Sequence, residues 1–184
     1  MNLLWIDVET TGLNPEMNEV IDIAIVETTL DGRVVTSFNS KVAFKFGITE
    51  GAAKVNGYTE EKWKGAPSWG QVQAEIASLF SHDTKYIAAG WNIAFDLSFV
   101  SHALAKAGLN VSYHGLDLFG MFWAKTFDCY NGSTKWDGLG EYVLTKGKKP
   151  SLKDCCEMVG VEVKDAHTAL GDVMMCIKCY EKLL

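Results

Sequence analysis

Asp7 and Glu9 stand two residues apart where an apolar run, Leu3 to Val8, gives way to polar sequence. Side chains two apart on a strand share a face, so both carboxylates can reach one site at the strand end. Two bare carboxylates held this close repel each other unless a cation binds or one takes a proton. Hard oxygen ligands of this kind suit magnesium or manganese. One Asp-x-Glu pair is expected by chance about 0.7 times in a chain of this composition. A solvated strand end is the plain alternative, and companions must decide.

The first companion is Asn92-Ile93-Ala94-Phe95-Asp96, which follows an apolar segment and Gly90. Asn92 suits a helix N-cap, which would put Asp96 in the first turns of the helix, near the carboxyl edge of a sheet where ligands bind in open α/β folds. The alternative reading makes Asn92 only a cap and Asp96 only a favourable charge near the helix dipole. The second is His167-Thr168-Ala169-Leu170-Gly171-Asp172. Five residues of regular helix separate two side chains by about 140°, so His167 and Asp172 share no helical face. They converge if His167 lies in a loop and Asp172 in the helix that follows. A neutral imidazole beside a helix N-terminus can accept a proton. A surface or core-edge histidine is the alternative, and it is the preferred reading for His82, His102 and His114.

The elements that must position these groups can be read from periodicity. Leu3 to Val8 is expected to be a strand buried on both faces, and Val20 to Val26 a second. Asp31-Gly32 before Arg33 to Phe38 signals a hairpin with a tight primed turn, so the first three strands run antiparallel. Ser68 with Gln71 forms a capping box ahead of a stripe of Val72, Ile76, Leu79 and Phe80. Tyr86 to Ala89 is a short strand, Phe95 to Ala107 an amphipathic helix closed by Gly108, and Val111 to Asp117 the last strand. Helix is expected around Phe119 to Trp123, from Ser151 to Gly160, and along Leu170 to Tyr180. Residues 128–149 read as a mobile loop with some local helix. Strands first, then alternating β and α, give a mixed five-stranded sheet flanked by helices, of α/β class, in one domain over 1–184.

In this order, Asp-x-Glu-Thr-Thr-Gly-Leu, Asn-x-x-x-Asp and His-x-x-x-x-Asp resemble the three motifs of the DEDDh family of 3′–5′ exonucleases, which has a ribonuclease H-like fold. The resemblance spans Asp7 to Asp172. Val55-Asn56-Gly57-Tyr58-Thr59 also resembles a family segment, and Asp117 stands where an acid often follows the fifth strand. Trp91 and Asn56 depart from it, since histidine is common at both positions. The resemblance implies that Asp7, Glu9, Asp96 and Asp172 hold two magnesium ions, manganese substituting, with Asp7 bridging. One ion would acidify and orient the attacking water, with His167 removing its proton. The other would stabilise the leaving 3′ oxygen, and the product would be a 5′-mononucleotide. Thr10, Thr11, Gly12 and Leu13 would line the pocket for the terminal nucleotide, with Asn92 beside them. Single-stranded DNA 3′ ends are the expected substrate. RNA ends or short oligoribonucleotides are a second possibility, and a non-catalytic nucleic-acid or polymerase-binding module a third. Four clustered acids and a histidine argue against that third reading.

Composition agrees with an ordinary globular protein: 48% of the 184 residues are hydrophobic and 22% charged. The net charge of −6 disfavours a simple phosphate binder, yet two divalent ions on four acids would bring it to about −2. Lys146, Lys148, Lys149 and Lys153 form the one notable basic cluster, read equally well as phosphate contacts or as solvated loop. Trp63, Trp69, Trp123 and Trp136 could stack on bases, but packing is the simpler role. Cys129, Cys155, Cys156, Cys176 and Cys179 lack zinc-finger spacing and are expected to be buried free thiols. No run long enough to cross a bilayer and no secretory signal is evident, so a cytoplasmic protein is expected. It is expected to act free-standing or as a dissociable polymerase subunit.

Overall fold

The computed structural model describes residues 1–130 and 150–184. Three strands open it: β1 (Asn2–Thr10), β2 (Val20–Thr28) and β3 (Val34–Lys41). Three helices follow, α1 (Glu50–Asn56), α2 (Glu60–Trp63) and α3 (Trp69–Leu79). Then come β4 (Lys85–Gly90), α4 (Ile93–Lys106), β5 (Asn110–Asp117) and α5 (Leu118–Tyr130). After residue 150 come α6 (Leu152–Val159) and α7 (Ala169–Leu183). The sheet order is β3-β2-β1-β4-β5. β1 pairs antiparallel with β2, as β2 does with β3, whereas β1–β4 and β4–β5 are parallel. This is the ribonuclease H-like arrangement expected from the sequence.

Alternation along β1 divides the core into two layers. Leu3 and Trp5 face the layer built by α5, α6 and α7, against Phe122, Cys155, Val173 and Ile177. Leu4, Ile6 and Val8 face the layer of α3 and α4, against Val72, Ile76, Val100 and Leu104. Asp7 and Glu9 continue the first series, so the pleat aims them toward α7. Trp5 is fully buried, and its indole N–H donates to Thr28 Oγ1 at 2.9 Å. All nine residues of β2 are buried, because strands pair on both its sides and helices cover both faces. Among the described residues, no helix is long and apolar enough to cross a membrane.

The structure departs from the sequence reading in several local features. The β2–β3 connection is a turn from Thr29 to Gly32 rather than a tight primed turn. Gly32 N–H donates to Thr29 O, and Gly32 alone takes positive φ, at 91°. That pattern fits the three-residue hairpin loop closed by a left-handed glycine. Leu79 faces solvent at the end of α3, although Val72, Ile76 and Phe80 are buried as the stripe predicts. Helices α1 and α2 are too short for their period to show in sequence, but Thr49 and Thr59 cap them through Ala52 N–H and Lys62 N–H. α5 runs through Tyr130, into the segment expected to be loop, and residues 131–149 lie outside those described. Cys155, Cys156, Cys176 and Cys179 are free and buried as expected, with Cys156 Sγ 3.5 Å from Cys179 Sγ.

Candidate active site

β1 delivers the first two acids. Glu9 lies opposite Asp22 in the β1–β2 ladder, and a register shift between Glu9 and Thr10 ends the regular pairing there. Irregularities of this kind re-aim side chains next to functional sites. α7 delivers the third acid, Asp172, in its first turn. One oxygen from each of Asp7, Glu9 and Asp172 lies within 4.8 Å of the others.

Asp96 comes from the opposite layer. α4 begins just past the carboxyl end of β4, and Asp96 in its first turn reaches over the sheet edge to accept Val8 N–H at 3.0 Å. It is only 3% exposed. Asp96 is not one of the three residues whose oxygens fall within the 4.8 Å group, but its charge acts directly on Asp7. The four acids therefore converge, with three clustered and Asp96 tied to the backbone between Asp7 and Glu9.

The loop before α7 is held by its own hydrogen bonds. Thr168 caps the helix, accepting Gly171 N–H at 3.1 Å while its hydroxyl donates to Asp165 O at 2.7 Å. Asp165 and His167 both adopt left-handed backbone, at φ 52° and 62°. A methyl group on Gly171 would lie 2.1 Å from Asp165 O, so only glycine lets the loop fold back this tightly. His167 is exposed, and its backbone N–H donates to Asp172 Oδ1 at 3.2 Å. The loop-then-helix placement is the one required for His167 and Asp172 to converge.

Electrostatics mark the cluster as unstable when bare. Burial pushes Asp7 well above the usual carboxylate range, and the charges of Asp96, Asp172, Glu9 and Asp22 push it further. Glu9 rises to about 8, first through burial and then through Asp172, Asp22 and Asp96. Burial also raises Asp96 to about 7, against the lowering effect of the Val8 N–H bond. Asp172 is raised by burial and partly relieved by His167. Converging carboxylate oxygens that hold back their protons suit a hard divalent cation, and the donor set fits magnesium or manganese chemistry.

Beside Glu9 opens a cleft of about 680 Å³, lined in part by Thr10, Gly12, Leu13, Val55, Asn56 and Phe95. Leu13 is 84% exposed over it. One expectation for this wall needs correction. Thr11 is fully buried and does not line the cleft, because its hydroxyl accepts Glu19 N–H at 3.0 Å and so braces the loop. Phe95 packs on Phe99 and also lines the cleft. Thr10 points its hydroxyl to Gly12 O, and Asn56 donates to Thr10 O at 3.0 Å.

Asn92 starts α4, but in left-handed conformation (φ 60°) and without a side-chain capping bond. Its N–H donates instead to Asp117 Oδ1 at 2.9 Å. Trp91 packs on Phe119 and Phe122. Trp63 is buried, with its indole N–H on Ile21 O, and Trp69 packs against the α3–α4 layer. Trp123 stacks on Phe119. Lys153 is exposed and pairs with Glu157 within α6. Lys146, Lys148, Lys149 and Trp136 lie outside the described residues. The sequence reading missed Asp22, a buried acid facing Glu9, although an acid inside the apolar run Val20 to Val26 was a usable signal.

A mixed sheet in this order, with acids from its first strand, from the helix after its fourth strand and from its last helix meeting at one edge, defines the DEDDh exonuclease class on a ribonuclease H-like fold. The chain belongs to the exonuclease family, whose sequence model matches residues 4–180. It is 28% identical over 180 residues to the DNA polymerase III subunit epsilon of Aquifex aeolicus, covering 97% of this chain and 78% of that protein. It is 26% identical over 187 residues to the oligoribonuclease of Baumannia cicadellinicola, covering 94% and 86%. Escherichia coli exonuclease I, solved with a dT13 oligonucleotide, shares its fold with a TM-score of 0.71 at 18% identity. That match covers 96% of this chain but only 39% of exonuclease I.

Proposed function

We propose that residues 1–184 form one 3′–5′ exonuclease domain that releases 5′-mononucleotides from single-stranded DNA ends. The observation that carries this reading is the meeting of Asp7, Glu9 and Asp172 oxygens within 4.8 Å, beside both the His167 loop and an open cleft. Asp7, Glu9, Asp96 and Asp172 would hold two magnesium ions. Bound ions of this kind offset the carboxylate charge, polarise the scissile phosphodiester and acidify the attacking water. His167 takes the proton from that water at its imidazole. The bond from its N–H to Asp172 keeps the loop beside the acids. Leu13 and Phe95 offer apolar surface to an unpaired terminal base.

Exonuclease I with its bound oligonucleotide supports single-stranded DNA as substrate. The likeness to an oligoribonuclease supports RNA ends as the second reading. Likeness to a polymerase subunit supports a polymerase as partner. The deciding experiment incubates 5′-labelled DNA and RNA oligonucleotides with magnesium, manganese or chelator. A ladder of shortened DNA that vanishes in chelator is expected. A ladder from RNA alone transfers the assignment to oligoribonucleotides, and no digestion of either refutes the hydrolytic reading.

A further inference from the structure

Asp22 is buried at 4% exposure near the start of β2, directly opposite Glu9. Opposed residues on antiparallel strands project to the same face, so Asp22 lies under the amino end of α7 as Glu9 does. It shares a cleft of about 460 Å³ with Thr168 and Gly171 of that end. A carboxylate would not be buried here for packing alone, since an apolar residue would serve β2 better. Its partners explain the placement. Asn39 Nδ2 donates to Oδ1 at 3.2 Å, and Lys41 Nζ stands 3.9 Å from Oδ2 while also lying over the Trp63 ring. Burial raises the Asp22 carboxyl above its usual range, and Lys41, the Ile23 amide, Asn39 and the Ala169 amide, which flanks the same cleft, partly offset this. Ala169 is the first residue of α7, between His167 and Asp172.

We propose that Asp22 is a positioning residue that anchors the amino end of α7, and through it His167 and Asp172, against the Asp7–Glu9 edge of the sheet. An anion at a helix N-terminus is favoured by the unpaired N–H groups and by the helix dipole. The anchor matters because Ala169 starts α7, with His167 in the loop just before it and Asp172 in the first turn just after it. Lys41 and Asn39 hold the carboxylate in place and offset part of the cost of burying it beside Glu9. This inference rests on the exonuclease reading for its catalytic consequence, but the anchoring itself is a property of the fold.

The test compares the wild-type chain with Asp22→Ala and Asp22→Asn, the second of which keeps an oxygen for Ala169 N–H. Amide hydrogen exchange is read for residues 165–172, with β1 and β4 as internal controls. Manganese binding is measured by titration calorimetry, and kcat and KM on a labelled oligonucleotide. We expect Asp22→Ala to speed exchange of 165–172 about tenfold or more while the strands stay protected. It should also weaken manganese binding and lower kcat by about ten- to a hundredfold, with KM within about twofold. Asp22→Asn should restore most of the protection and of kcat. Unchanged exchange at 165–172 in Asp22→Ala overturns the anchor, as does uniform loss of protection across the strands in both variants. If wild-type protein digests nothing, the hydrolytic reading fails, and the exchange data alone still decide on the anchor.

Discussion

His167 donates its backbone N–H to Asp172 Oδ1 at 3.2 Å, so the proposed proton acceptor and a proposed cation ligand are joined through the main chain of one and the side chain of the other. Removing the imidazole therefore leaves this bond, and the acid, in place. His167→Ala is expected to bind manganese with near wild-type affinity and to hydrolyse oligonucleotides about 10²–10⁴-fold more slowly, as for loss of a general base. Calorimetry and a gel assay on the same preparation check both halves. Near-normal turnover would sink the role given to His167.

Gly171→Ala probes the loop without touching an acid. Its new methyl group would fall 2.1 Å from Asp165 O, a backbone atom that cannot swing aside. The loop must move, at a cost of about 1–3 kcal/mol in stability. Misplacement of His167 should lower kcat by about a hundredfold. Thermal melting and single-turnover kinetics measure the two effects, and an unaltered kcat would mean that loop placement is not limiting.

The pH response follows from the raised acids. With Glu9 at about 8 and Asp96 at about 7, the folded chain without cations holds protons that the unfolded chain has already shed. A folded value above the unfolded one gives stability that is complete below the unfolded value and is lost as pH rises through the folded one. In chelator, Tm should therefore fall between about pH 5 and pH 8. Magnesium needs the deprotonated carboxylates, so its stabilising effect should grow over the same range. Scanning fluorimetry with and without the ion tests the sign, and a flat profile in chelator contradicts it.

Replacing one repelling acid should separate stability from function. Glu9→Gln keeps the shape but removes a charge from a cluster in which Asp172, Asp22 and Asp96 all oppose it. In chelator near pH 8, the variant should melt about 2–4 °C higher than wild type, as for roughly 1 kcal/mol in a chain of this size. It should gain little from magnesium and lose most activity. A variant that melts lower in chelator would show that Glu9 is not held against its neighbours.

Much of the site was readable because its chemistry is carried by short spacings. Asp7 and Glu9 follow from strand alternation, and His167 with Asp172 from the geometric conflict that a continuous helix would impose. Asp96 was legible through the start of α4, although Asn92 begins that helix without a side-chain cap. Long-range pairing was not legible. Asp22 acquires its place opposite Glu9 only from strand register, and Thr11 turns inward because Glu19 folds back on it. The hairpin signal at Asp31-Gly32 marked the turn but not its length, which depends on the conformation at Gly32.

β1 and α7, at opposite ends of the matched family region, are both needed to complete the acidic edge. A nascent polypeptide on the ribosome thus carries Asp7 and Glu9 early but lacks Asp172 until almost all of that region has been translated. On the proposed function, any translation product that stops before Asp172 lacks one of the three clustered acids, so hydrolysis waits on the last helix.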